Sequence, residues 1–214
     1  MLRKLAVMAV AVVIPLGSFL ALDSSVALAA PPNATGIANC PIYSGKGTLS
    51  PGLTPAGAAG GVKINFRASL TSPTGGPCGN SSVTTPAGVT IVGGKVTGSG
   101  SYQALASPAS ASSCADFDGT DVVGTITVTI KWKTTPPAAI AKTTITYTNN
   151  PATVSGSPTD TITLLAPPGS STKAGSFTAP ASNNTTTLKT NLPAPPCGPG
   201  PFSHFKITGG NVLV

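Results

Sequence analysis

Apolar and polar side chains alternate most cleanly between Val62 and Leu70, where Val62, Ile64, Phe66, Ala68 and Leu70 are separated by Lys63, Asn65, Arg67 and Ser69. A period of two residues puts one set on each face of an extended chain, so this segment reads as a half-buried antiparallel strand. The same pattern runs from Gly124 to Lys133, with Ile126, Val128, Ile130 and Trp132 on one face and Thr125, Thr127, Thr129, Lys131 and Lys133 on the other. Shorter segments of strand character are Ile42–Leu49, Val89–Val96, Ser101–Leu105, Thr143–Thr148, Thr161–Leu165, Gly175–Ala179, Thr186–Leu192 and Phe205–Val214. No segment of the mature chain shows a sustained helical period, and 25 glycines and 22 prolines punctuate the apolar runs. Some eight to ten short strands with turn residues between them predict an all-β fold, an antiparallel β-sandwich ahead of a barrel.

The first residues break this pattern. Arg3 and Lys4 precede a nearly continuous apolar stretch from Leu5 to Leu22, and Ala27-Leu28-Ala29 offers small residues at the positions a signal peptidase reads. This is the layout of a cleavable signal peptide over residues 1–29. Pro15 and Gly17 interrupt the stretch, which argues against an anchor helix of about 20 unbroken apolar residues. A lipoprotein reading of Ile37-Ala38-Asn39-Cys40 fails because Asn39 is not small and the preceding Pro31–Gly36 is not apolar. The mature chain then has a flexible start over 30–39 and a single domain over 40–214. It carries no transmembrane segment after cleavage, and its expected location is extracellular.

Export changes the meaning of the four cysteines, Cys40, Cys78, Cys114 and Cys197. In an oxidising compartment they read as two disulfides, and no two of them have zinc-ligand spacing. Sequence permits three connectivities. Cys40 just precedes the strand at Ile42–Leu49 and Cys78 follows the strand at Val62–Leu70, so antiparallel pairing would bring the two together. The favoured bridges are Cys40 with Cys78 and Cys114 with Cys197.

Charge is sparse, at 8% of residues, and glutamate is absent. The mature chain sets Lys46, Lys63, Arg67, Lys95, Lys131, Lys133, Lys142, Lys173, Lys189 and Lys206 against Asp116, Asp118, Asp121 and Asp160. The cations are scattered along the sequence without interleaved aromatics, so nucleic acid is not an expected partner. Cell-wall glycan or another envelope protein is.

Candidate chemistry is thin. His204 is the sole histidine, which leaves a hydrolytic triad one possible base, and no Gly-x-Ser-x-Gly elbow occurs. No catalytic residue and no cofactor is assigned. Asp116, Asp118 and Asp121 crowd into one loop with Gly119, a candidate calcium loop that lacks EF-hand spacing; read without a metal, it is a solvated turn. Ile91-Val92-Gly93-Gly94-Lys95-Val96 and Ile207-Thr208-Gly209-Gly210-Asn211-Val212 share the form Ile-x-Gly-Gly-x-Val, read as glycine bulges in two strands. Asn33, Asn80, Asn183 and Asn184 begin sequons in a Ser/Thr-rich chain.

The Ala-rich leader, Cys40 followed by Gly45-Lys46-Gly47-Thr48-Leu49-Ser50-Pro51-Gly52-Leu53-Thr54, the Thr-rich strand ending in Lys131-Trp132, and the Ile207-Thr208-Gly209-Gly210 ending together resemble small secreted proteins of unknown function from actinobacteria. The resemblance implies an exported β-fold and nothing catalytic. The expected function is a non-enzymatic extracellular or envelope-associated binding or structural domain. The alternatives are a carbohydrate-binding module, whose aromatic platform would have to come from Tyr43, Tyr102, Trp132 and Tyr147, and a secreted hydrolase.

Overall fold

The computed structural model describes residues 29–57, 61–71, 78, 83–104, 122–148, 153–156, 159–166, 171–177, 184–193 and 201–214. The fold is all-β and antiparallel. Its strands are β1 (Asn39–Leu53), β2 (Val62–Thr71), β3 (Thr90–Ala104), β4 (Val122–Thr135), β5 (Thr143–Thr148), β6 (Thr153–Gly156), β7 (Thr159–Ala166), β8 (Ser171–Gly175), β9 (Asn184–Pro193) and β10 (Phe202–Leu213). They form one ten-stranded sheet in the order β6-β7-β9-β10-β1-β2-β3-β4-β5-β8. Hydrogen bonding is therefore continuous rather than divided between two sheets.

The sheet closes on itself through its side chains. Alternation delivers Val62, Ile64, Phe66, Ala68 and Leu70 of β2, and Ile126, Val128 and Ile130 of β4, to one buried face, joined there by Ile145, Tyr147, Leu164, Leu188 and Ile207. Tyr147 on β5 shares a hydrogen bond of 3.1 Å with Thr186 on β9, although five strands separate the two in the sheet. A ten-stranded sheet can bring such positions together only by curling, so that its two wings cover one core.

Several strands differ in extent from the sequence pattern. Val89–Val96 and Ser101–Leu105 merge into the single strand β3, because Gly98 and Gly100 are strand residues and not a turn. In register, Phe205 of β10 faces Gly47 of β1, Gly47 faces Phe66 of β2, and Phe66 faces Gly98 of β3. Each phenyl ring lies over the glycine of the next strand, where a Cβ would overlap it. The glycines thus make room for rings on the core face, a device that keeps apolar cover over glycine backbone inside a sheet. The strand expected at Gly175–Ala179 lies earlier, as β8. Ser176 and Phe177 instead form a turn, with Phe177 at φ 60° and fully buried. Both Ile-x-Gly-Gly-x-Val segments fall at register shifts, one between Ile91 and Gly93 against β4, the other between Ile207 and Gly209 against β9.

Cys40 and Cys78 are bonded, with Cα atoms 4.8 Å apart. The bridge closes a separation of 38 residues, which constrains the unfolded chain by roughly 3–4 kcal/mol. The segment expected to be a flexible lead-in is tied to the fold at several points. Ala34 accepts from the Phe177 N–H at 2.7 Å, Pro32 accepts from Ala141, and Ala38 exchanges two backbone hydrogen bonds with Val214. Ala34 and Ala38 are buried, so the lead-in covers core that the strands leave open.

Candidate functional site

The outward faces of the central strands carry the polar set of each alternation. On β1 these are Lys46 and Thr48, on β2 Asn65 and Arg67, on β3 Lys95, Thr97 and Ser99, on β4 Thr127, Thr129 and Lys131, and on β10 His204 and Lys206. Most of them, with Asn191 of β9, line a shallow trough of about 830 Å³. Gly47, Phe66, Gly98 and Phe205 of the Phe–Gly row line it as well. The trough crosses six adjacent strands, so its polar groups are held by the ladder itself rather than by loops.

Register fixes the rows across this face. Lys206 sits opposite Lys46, Lys46 opposite Arg67, Arg67 opposite Thr97 and Thr97 opposite Thr129. The neighbouring row runs His204, Thr48, Asn65, Ser99 and Thr127. Thr127 and Thr146 share a hydroxyl contact at 3.4 Å, and Thr97 donates to the Thr129 carbonyl at 3.5 Å. Asn191 accepts from the Lys206 N–H at 2.6 Å, which ties β9 into the rim. One end of the trough is cationic and the other is an array of hydroxyls.

His204 is exposed on the rim, and its Nδ1 shares a hydrogen bond of 2.9 Å with the Ser203 hydroxyl. Among the described residues no carboxylate orients the imidazole, and no three His, Cys, Asp or Glu side chains come together. Cys114, Cys197, Asp116, Asp118 and Asp121 lie outside the described residues, as do residues 1–28, where the signal peptide was expected.

Tyr147, Trp132 and Phe177 are placed for packing. Tyr147 is fully buried, and burial pushes its phenol up to about 12 against the counter-effect of the Thr186 hydrogen bond. Trp132 is half-buried. Its indole N–H donates to Thr143 Oγ1 at 2.9 Å and its ring meets Phe177 edge-on, with centroids 5.1 Å apart. Thr143 donates onward to the Ser176 carbonyl at 2.9 Å, while the Ser176 hydroxyl accepts from Ala34 and donates to Ala141. This satisfied network fixes the corner at which lead-in, β5 and the β8 turn meet. Tyr43 is 74% exposed.

The alternation that builds the trough is visible in the sequence but the trough is not, because nothing local reports which strands are neighbours. Compared with protein-family models, with curated proteins and with solved structures, the chain matches none.

Proposed function

We propose that this is a non-enzymatic, exported binding domain of the cell envelope, and that it engages its partner with the outer face of the sheet. The observation that carries this reading is the trough itself: hydroxyl, amide and cationic side chains from six adjacent strands share one solvent-facing surface. Open to solvent along the sheet, a surface of that kind suits an extended ligand lying across the strands better than an enclosed small molecule. The Cys40–Cys78 bridge agrees with an oxidising compartment.

The Ser203–His204 hydrogen bond favours a hydrolase as a second reading. Its weakness is the lack, among the described residues, of a group that would hold the imidazole in one tautomer, which a nucleophile–base pair requires. A carbohydrate-binding module working by aromatic stacking is less well supported, since Trp132 and Tyr147 are committed to the core and its edge.

Co-sedimentation of the mature protein with isolated cell envelope tests the proposal, run alongside release assays on ester, amide and glycan substrates. The expected outcome is retention without turnover. Hydrolysis that disappears in His204→Ala would overturn the non-enzymatic reading.

A further inference from the structure

Cations that are far apart in the sequence meet on one face. Lys206, Lys46 and Arg67 stand directly opposite one another on β10, β1 and β2. Arg67 faces Thr97 on β3, and Lys95, two residues along the same face, faces Lys131 on β4. On β9, Lys189 is two residues from Asn191, which binds the backbone of Lys206. Six consecutive strands therefore contribute one cation each, and all six side chains are exposed. At about 4.8 Å per strand, this band runs roughly 24 Å across the sheet.

Like charges set directly opposite on neighbouring strands destabilise a sheet. Here Lys206–Lys46, Lys46–Arg67 and Lys95–Lys131 are three such pairs, and no ion pair relieves them among the described residues. Folding alone gives no reason to place them so. A break of this kind with local rules points to a binding role.

We propose that the band binds a polyanion with repeating phosphodiesters, an anionic polymer of the cell envelope, laid crosswise to the strands. This rests on the binding-domain reading and names its ligand class. A single small anion would use one or two of the cations, whereas a chain with regularly spaced phosphates uses the whole length. The hydroxyl and amide rows beside the band, with Thr48, Asn65, Thr97 and Ser99, supply partners for the hydroxyls of the polymer's alcohol or sugar units. Nucleic acid fits less well, because single strands are held by stacking on several aromatic rings, and of the aromatic side chains that the structure describes, Tyr43 alone is strongly exposed.

The test measures binding of the mature protein to purified poly(glycerol phosphate), to a neutral glucan, and to single- and double-stranded DNA of matched phosphate content. The expected result is preference for the glycerol phosphate polymer, with affinity falling about tenfold or more as salt rises from about 50 to about 200 mM. Lys46→Gln/Arg67→Gln should weaken binding about tenfold, while the charge-matched Lys63→Gln/Lys142→Gln stays near wild type. The band variant should also melt no lower than wild type, because it relieves repulsion, so weakened binding would not reflect misfolding. Equal losses in the two variants would overturn the band, and tighter binding to DNA would overturn the envelope polymer. Envelope stripped of its phosphodiester polymer by acid separates the two levels. Undiminished sedimentation with stripped envelope would overturn the polyanion and leave the binding domain standing, whereas no sedimentation with intact envelope would overturn both.

Discussion

Tyr147 shows how one side chain holds two distant parts of the sheet. Its ring fills the core and its hydroxyl meets Thr186, so Tyr147→Phe leaves a buried hydroxyl short of a partner at a cost of about 1–2 kcal/mol. The phenol also titrates late. Its protonated form is the neutral one, and burial raises its pKa from 10.0 to about 12. The stabilisation it gives is complete below about pH 10 and is lost as the pH climbs through the folded value. Lys173 works in the opposite sense. Burial lowers its pKa, so its contribution is present above the ordinary lysine range and is lost as the pH falls through the folded value. Denaturant melts of wild type and Tyr147→Phe at about pH 9 and about pH 11.5 isolate the phenol. The gap between the two proteins should narrow at the higher pH, and a constant gap would refute the assignment.

At the scale of elements, the Phe–Gly row explains both what was legible and what was not. Period-two alternation identified β2 and β4 without help from tertiary structure, and β5 matches its expected limits at Thr143 and Thr148. Gly98-Ser99-Gly100, by contrast, looks like a turn when read locally, yet it lies inside β3 because the Phe66 ring occupies the space a side chain would take. Phe177 is the complementary case: an aromatic residue beside a strand pattern reads locally as strand, while the structure places it at positive φ in a turn. The row gives a direct prediction. Gly98→Val adds a β-branched side chain with high strand propensity, but it collides with Phe66, so stability should fall by about 1–3 kcal/mol. Chemical denaturation checks this, and a neutral or stabilising effect would show that the ring does not cover the glycine.

For the molecule as a whole, the strand order decides what the sequence could not convey. The first strand pairs with the last and with the second, and the cation band exists only once β9, β10, β1, β2, β3 and β4 are assembled side by side. Scattered lysines become a surface through topology alone, which is why a linear reading found no basic patch. The same topology sets a kinetic expectation. Chain-end strands must find each other across nearly the whole sequence, so the disulfide-intact protein should refold in milliseconds to seconds; a microsecond phase carrying the full change in tryptophan fluorescence would contradict the long-range closure of the sheet. The order also leaves the shortest strands outermost, four residues at β6 and five at β8. On β8, Lys173 pairs with the buried Ile145 and sends its ammonium to the Phe177 carbonyl at 2.9 Å. A second molecule adding a strand there would have little backbone to follow and would trap that charge beneath it. The borders of the sheet are thereby guarded against growth into fibres, which lets a protein so rich in strand remain discrete in concentrated solution.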